Sequence, residues 1–547
     1  MPFVTYEAED GASNGTIIGP NRALHTLASE ASGRRAIRLA KPSEYVELEL
    51  ASPASGLTVR YSIPDGADGR GLPAKLLISA DGKRIAALPL TSRYSWFYGR
   101  YPFTNRPGDG RPRRFYDHAR ILLPHMVPSG TRLRLSLAPG SRAGWVAIDL
   151  VDAEEVPPPK RAPSGSISVC RFGADPTGRR SSAAAFDRAL ASGSASGRPV
   201  WIPPGQYRID RHVIVDRVKL IGAGQWYSVL RGNGVGVFGR RAPRGSTSVE
   251  LRGFAIIGEV TRREDRKPLA AIGGSLGNST VQGLWLQHTK GGIWIDGPAD
   301  RLTISDLVIV DQAADGVNFH GGVTNSIVRN SFVRGSGDDG LAMWSHRREN
   351  VGDSFERNTI VAPFLANGIA LYGGRDLTVS GNLVADSVTE GGGIHLGSRF
   401  HATPFAGNIA VRSNTIVRGG DFDPNWKFGV GAFWIYALDR PIAARIDVTD
   451  LQVVAPRCAA IQFIGKTIEG VSFDRVRVEG PASEILQIQA SGSATFRNTL
   501  ADWASSKAIR SDGSAFAMKD AGDNGDWIAQ RAAPISQAAC SNETSGR

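Results

Sequence analysis

A chain of 547 residues with 65 glycines and moderate apolar content is too long for one ordinary core and suits a turn-rich, all-β protein. Its formal charge of +12 comes from scattered basic residues with no recognition motif or aromatic-basic module, which argues against a nucleic-acid partner. No apolar stretch is long enough to span a bilayer, and Cys170, Cys458 and Cys540 are too few for a disulfide framework and leave at least one thiol unpaired within the chain. The first residues enter strand-like sequence without the basic and apolar regions of a signal peptide, so a secreted protein is expected to have lost its leader.

Residues 1–153 alternate in the manner of a β-sandwich, with runs such as Tyr45-Val46-Glu47-Leu48-Glu49-Leu50 and Leu57-Thr58-Val59-Arg60-Tyr61 set between turns. The opening Tyr6-Glu7-Ala8-Glu9-Asp10 and the closing Val146-Ala147-Ile148-Asp149-Leu150-Val151 resemble the first and last strands of carbohydrate-binding modules of families 6 and 35, which are jelly-roll sandwiches. That resemblance implies a structural calcium held by Glu7, Glu9 and Asp149, oxygen donors suited to a hard cation. Exposed acids on an edge strand are the competing reading. The aromatics Tyr94, Trp96, Tyr98 and Tyr101 suit either sugar stacking or a packed face with its loop.

A Pro-rich linker is expected over 154–166, where Pro157-Pro158-Pro159 stiffens the connection. The order Phe172-Gly173-Ala174-Asp175, a helical stretch through Ala183-Ala184-Ala185-Phe186, Val200-Trp201-Ile202 and Val218-Lys219-Leu220-Ile221-Gly222 resembles the entrance of the pectin-lyase-like right-handed parallel β-helix, where a short helix covers the first open coil.

Next comes a sustained repeat. The phrases beginning at Gly292, Gly316, Gly340, Gly368 and Gly393 follow one another at steps of 24, 24, 28 and 25. Beside them Asp306, Asn330, Asn358, Asn382 and Asn414 each precede a short apolar run and read as an internal hydrogen-bonding ladder. Short β-branched strands between Gly, Asn and Asp turns at such a period predict a parallel β-solenoid over 167–510, one coil per repeat. The tail, 511–547, loses the repeat and is expected to be irregular.

Stacked coils set equivalent residues about 4.8 Å apart. Asp315 and Asp339, in the near-copies Ala314-Asp315-Gly316-Val317 and Asp338-Asp339-Gly340-Leu341, are therefore expected to be vertical neighbours. Carboxylates that close cannot all titrate normally, so one keeps a proton to give while another accepts one. Because successive strand residues face opposite sides, Asp338 and Asp339 can share a cleft only at a strand end or bulge. Asp-Gly is also turn chemistry; clustering is what sets these aspartates apart.

The stretch from Val310 through Asp315-Gly316-Val317-Asn318-Phe319-His320-Gly321-Gly322 and Gly337-Asp338-Asp339-Gly340-Leu341-Ala342-Met343-Trp344 resembles glycoside hydrolase family 87, the α-1,3-glucanases and mycodextranases. Thr389-Glu390-Gly391-Gly392-Gly393-Ile394-His395-Leu396 and Asp423-Pro424-Asn425-Trp426-Lys427-Phe428 are similar to the same family. The resemblance implies three catalytic aspartates at Asp315, Asp338 and Asp339. It implies inversion, with Asp338 as general acid and Asp315 with Asp339 positioning and deprotonating water; spacing alone does not say which is acid and which base. It further implies a secreted, monomeric, endo-acting enzyme on α-1,3-glucan, with catalysis free of metal. Trp344, Tyr372, Trp426, Trp434 and Tyr436 are candidate sugar platforms, and His320, His395 and Glu390 candidate polar contacts.

Three alternatives stand beside this reading. One is a mycodextranase acting on nigeran. Another is a polysaccharide lyase on an acidic polymer with Lys290, Arg347 or Arg348 as base, against which the clustered acids would repel a uronate. The last is a glycan-binding β-helix without turnover.

Overall fold

The computed structural model describes residues 2–502, 507–535 and 540. It divides into two units, one running to Pro159 and taking in Glu259–Lys267, the other comprising Lys160–Gly258 and the described residues from Pro268 to Cys540.

The first unit is the expected sandwich. One antiparallel sheet orders the strands Asp117–Val127, Ala54–Ser62, Val146–Glu154, Ala36–Leu39 and Thr16–Ile18, and Val4–Glu7 pairs with Val146–Glu154. The other orders Ala12–Ser13, Val46–Glu49, Arg132–Leu137, Pro73–Ala80 and Lys83–Thr91. Alternation does the sorting: in Arg132–Leu137 the residues Leu133, Leu135 and Leu137 turn inward to meet Val46, Leu48, Val59, Leu76 and Ile148. The strand Val146–Glu154 shifts register against Ala54–Ser62 between Ile148 and Leu150, leaving Asp149 as the extra residue of a bulge.

Of the four aromatics that suited either sugar stacking or a packed face, Trp96 packs edge-on to Phe115 with its Nε1 donating to Ile63 O, and the Tyr98 hydroxyl donates to Asp65. The Tyr101 hydroxyl donates to Asp265, inside the segment Glu259–Lys267 that the sequence-based boundary assigns to the solenoid.

The second unit is a parallel β-solenoid of about 13 turns. The helix Ala183–Ser196 lies on its first strands with Phe186, Ala189 and Leu190 buried, as expected of a cover for the open coil. The strands Gly291–Asp296, Val317–His320, Leu341–Trp344, Ile369–Tyr372, Ile394–Ser398 and Phe433–Ala437 pair in parallel, each over the next, and form the sheet that positions the site. Alternate residues of that sheet fill the interior: Ile293, Val317, Leu341, Ile369, Ile394 and Phe433 make one stack, and Ile295, Phe319, Met343, Leu371, Leu396 and Ile435 the next. Each such side chain removed from water contributes roughly 1.5–3 kcal/mol.

The polar ladder is real but starts later than the sequence suggests. Asn358 donates to Asn382 Oδ1, and Asn382 to Asn414 Oδ1, each at 3.0 Å, while their amides also hold buried carbonyls of the neighbouring coil. Asp306 and Asn330 stand one position earlier, exposed and in the left-handed region, and Ser331 takes the ladder place on the Asn330 coil. The two polar positions are adjacent in sequence, so periodicity alone merges them.

The tail also departs from expectation. Phe516–Asp520 and Ala533–Pro534 continue the solenoid, and Trp527, fully buried, closes it against Phe496. Cys540 is disulfide-bonded to Cys458, with Cα atoms 5.4 Å apart, and Cys170 is the free thiol.

Candidate active site

The site begins with glycines. A Cβ on Gly316 would lie 2.4 Å from Gly340 O, and one on Gly340 would lie 2.4 Å from Ile360 Cγ2 and 2.6 Å from Gly368 O. Glycine here is demanded by the close approach of coils, which explains the recurring Gly without recourse to a turn. The residue before it is then free to vary. Gly316 N donates to Asp339 O, Gly340 N to Asn367 O and Gly368 N to Gly392 O, so Asp315, Asp339, Asn367 and Gly392 occupy one position on successive coils. Asp315, Asp339 and Asn367 fill that position with polar side chains on three consecutive coils, and Gly392 follows on the next.

Asp338 and Asp339 both precede the strand Leu341–Trp344, and the bend at Gly337–Asp338 lets adjacent side chains reach the same place. One carboxylate oxygen from each of Asp315, Asp338 and Asp339 lies within 4.8 Å of the others. Asp315 and Asp339 are buried and Asp338 half-buried. Asp339 Oδ1 accepts from Asn367 N and Asn367 Nδ2, each at 2.9 Å, and its Oδ2 accepts from the Tyr372 hydroxyl at 2.9 Å. Asn318 Nδ2 donates to Asp315 Oδ2 at 3.2 Å, and Asp339 N to Asp338 Oδ1 at 3.2 Å. Burial, and then the Asp338 charge, push the Asp339 carboxyl up to about 7 against the pull of Asn367 and Tyr372. Carboxyls this close titrate as a unit, so the cluster holds a proton toward neutral pH.

Two rows of outward-facing side chains run along the same sheet. One row reads Trp294, Asn318, Ala342, Ala370, His395, Trp434; the other reads Asp296, His320, Trp344, Tyr372, Gly397, Tyr436. Every strand residue nominated from sequence falls in these rows. Trp344 and Tyr436 are half-buried, Trp344 with the His346 ring stacked on it at 4.6 Å, and Trp426 joins Tyr436 at 5.6 Å between ring centroids. Tyr372 is committed to Asp339. His320 Nδ1 pairs with Asp296 at 2.8 Å and its Nε2 with His346 Nδ1 at 2.9 Å, against the Trp344 ring. Glu390 sits half-buried at a left-handed turn.

His395 and Trp434 correct the sequence reading. They are 0 % and 1 % exposed and stack on each other at 3.7 Å, so neither offers a face to a sugar. Burial pushes the His395 imidazole well below its usual range, and it is neutral.

Sequence reasoning missed Asn367, Arg399 and Phe400. Asn367 was within reach, because Asn367-Gly368-Ile369 stands in the repeat where Asp315-Gly316-Val317 and Asp339-Gly340-Leu341 stand. Arg399 lies over the Phe400 ring at 4.0 Å and near Trp426 and Tyr436, and Phe400 is 46 % exposed beside Trp344 and Tyr372. Both come from a turn after the repeat phrase, where no period marks them.

In the sandwich, Glu7 and Asp149 converge on Ser32, whose Oγ donates to Glu7 Oε1 at 2.8 Å and whose N donates to Asp149 Oδ1 at 2.9 Å. Asp149 also pairs with Arg60 at 2.5 Å. Glu9 is pushed up to about 7 by burial first, with Asp149 and Asp10 adding to the rise, and its Oε2 is buried without a hydrogen-bond partner.

A β-solenoid with three convergent carboxylates between aromatic walls defines a carbohydrate hydrolase of the acid–base type. Residues 1–156 match the family model described as alpha-1,3-glucanase catalytic domain D1, and residues 178–493 match catalytic domain D2. The chain belongs to glycoside hydrolase family 87 and is an α-1,3-glucanase. The sandwich, expected as a separate binding module, thus matches part of the family's catalytic unit.

Among solved structures, the catalytic unit of the thermostable α-1,3-glucanase from Streptomyces thermodiastaticus strain HF3-3 is 39% identical over 96% of this chain and 97% of its own, with a TM-score of 0.88. The Agl-KA catalytic domain is 26% identical over 95% and 98%, with a TM-score of 0.88. A third family 87 catalytic domain, solved with nigerose, is 25% identical over 96% and 99%, with a TM-score of 0.84. Aspartate-to-alanine variants of a family 87 catalytic domain, solved with nigerose or tetrasaccharides, fall at three positions 23 and then 1 residue apart, the spacing of Asp315, Asp338 and Asp339 here. No curated protein matches the chain.

Proposed function

We propose that this α-1,3-glucanase is a secreted, monomeric, endo-acting and inverting enzyme, with Asp338 donating a proton to the leaving oxygen while Asp315 and Asp339 orient and deprotonate the attacking water. The convergence of the three carboxyls within 4.8 Å carries the reading. Asp338 is the most open of the three to the cleft, where a glycosidic oxygen can reach it, whereas Asp339 is fully engaged by donors that favour its anion. Water bound between two carboxylates can lose its proton as the anomeric carbon opens, and the leaving sugar takes the proton of Asp338. The nearest-oxygen spacing is below the roughly 6.5–9.5 Å common for carboxyl pairs in inverting enzymes, so the outcome is settled on product rather than distance.

The ring faces of Trp344, Tyr436, Trp426 and Phe400 supply flat apolar walls for glucose rings, and the nigerose and tetrasaccharide bound by relatives support an oligosaccharide-length cleft. For the sandwich, the reading includes a divalent cation on Glu7 and Glu9; Asp149, expected as a third donor, is instead held by Ser32 and Arg60. The buried Glu9 oxygen supports it, and the chemistry is structural because the carboxyls of the solenoid make both proton transfers themselves.

The test is release from insoluble α-1,3-glucan and from nigeran, followed by proton NMR of the first product, for the wild type and Asp338→Asn. Expected are β-anomeric oligosaccharides from α-1,3-glucan and a kcat lower by about 10²–10⁴ in the variant. Initial α anomers would overturn inversion, and faster cleavage of nigeran would make the enzyme a mycodextranase.

A further inference from the structure

The catalytic reading assigns no task to Asn367, yet it is the third member of the stacked position that Asp315 and Asp339 occupy. It is 2 % exposed. Its Oδ1 accepts from two donors on later coils, Gly392 N at 3.0 Å and Trp434 Nε1 at 2.9 Å. Those donors leave the amide one orientation, since a flipped Nδ2 would face two N–H groups. Nδ2 therefore points at Asp339 Oδ1, where Asn367 N also donates. Trp434 is itself clamped by the buried, neutral His395 stacked on its indole.

We propose that Asn367 is a positioning residue that keeps Asp339 the anionic, base-side member of the aspartate cluster, and that Trp434 enforces this by fixing the amide. The proposal rests on the acid–base assignment above. With two N–H groups from Asn367 and the Tyr372 hydroxyl on it, Asp339 accepts three hydrogen bonds, which favours the anion. The other groups facing the cluster are the carboxyls of Asp315 and Asp338, with the Arg399 guanidinium acting on Tyr372 and His395. Burial and the Asp338 charge oppose the anion at Asp339, and the two donors from Asn367 are the largest pull toward it. An aspartate at 367 would set a carboxylate oxygen against Asp339 Oδ1 at hydrogen-bond distance, and the pair would have to share a proton. Asparagine in the third coil thus keeps the cluster at three carboxyls, one acid and two on the base side, where an aspartate would make it four acids sharing protons.

The experiment compares the pH profiles of kcat and KM on α-1,3-glucan for the wild type, Asn367→Asp, Trp434→Phe and Asp339→Asn. Asn367→Asp is expected to lower kcat at pH 6 by about 10²-fold and move its acidic limb up by a unit or more, with KM within about threefold of wild type. Trp434→Phe keeps the ring against His395 and deletes the donor, and is expected to lose about tenfold in kcat with a smaller shift of the same limb. A wild-type pH profile in both variants, with Asp339→Asn inactive, overturns the positioning role alone. Full activity in Asp339→Asn would sink the acid–base assignment beneath it. Should Asn367→Asp fail to give the wild-type near-UV circular dichroism, Trp434→Phe decides: loss of kcat without movement of the limb means support of the fold only and overturns the proposal.

Discussion

Asp339 shows how far environment can move one carboxyl. Its ordinary pKa of 3.8 rises to about 7 because it is buried beside Asp338, although three donors lean the other way. The consequence for rate follows from the sign. A carboxyl raised to about 7 keeps its proton between pH 3.8 and about 7, and on the base side of the reaction it must lose that proton before it can take one from water. We expect kcat/KM to rise by about tenfold per pH unit up to about pH 7, and the slope to be read in the initial rates of oligosaccharide release. A profile already flat below pH 7 would place the base outside this cluster. The same residues show what chain position hides: Asn367 lies 28 residues beyond Asp339, at the repeat interval, yet its amide touches the catalytic carboxylate.

At the level of elements, the solenoid is held by apolar stacks inside and polar ladders at its corners. The ladder of Asn358, Asn382 and Asn414 works because an amide both donates and accepts, so each coil satisfies the next. At another corner Ser326 N donates to Asp353 Oδ1, but Asp353 is an acid with no exposure, and its Oδ2 is buried without a hydrogen-bond partner. Burial raises it to about 8, Asp300 adds to the rise, and the Ser326 N–H opposes it. The folded state thus holds a proton that the unfolded chain releases near 3.8, so stability present at low pH is lost as pH rises through about 8. Asp353→Asn supplies the amide that the other corner uses and removes this dependence. Calorimetry is expected to give equal melting temperatures for variant and wild type at pH 4, and a variant higher by roughly 1–3 °C at pH 8. A lower melting temperature at pH 8 would show that the acid is needed in its own right.

Considered whole, the protein joins a sandwich and a solenoid that close their cores by different means. The solenoid covers its first coil with the helix Ala183–Ser196 and its last with the strands after residue 508, Trp527 and the Cys458–Cys540 disulfide. The sandwich instead buries charge: Asp149, Arg60, Glu9 and Glu30 lie in or beside its sheets, with Arg60 neutralising Asp149. A cation on Glu7 and Glu9 would remove the remaining strain of charge, since binding to the folded state alone adds roughly 2.7 kcal/mol at a hundredfold excess over Kd. EGTA is therefore expected to lower the first calorimetric transition and added calcium to restore it, with α-1,3-glucan cleavage unchanged below that temperature. A transition indifferent to EGTA would leave Arg60 and protonation of Glu9 as the whole of the compensation.

Sequence by itself determined the repeat and the vertical stacking of Asp315 and Asp339, because parallel strands of nearly constant length convert a period along the chain directly into neighbours in space. It also showed the sandwich, since alternation over a half-buried sheet leaves a mark on every strand. What it could not decide were contacts set off the period. The bulge that aims Asp149 at Arg60, the turn that carries Arg399 and Phe400 to the cleft, and the slip of the ladder from Asn330 to Ser331 each depend on a local break in the repeat. The burial of His395 and Trp434 was equally invisible, because an outward-facing residue of a coil is exposed or covered according to the loops that fold over it, and those loops belong to other coils. Repetition is legible in one dimension; what lies across a repeat is fixed only when the coils are stacked.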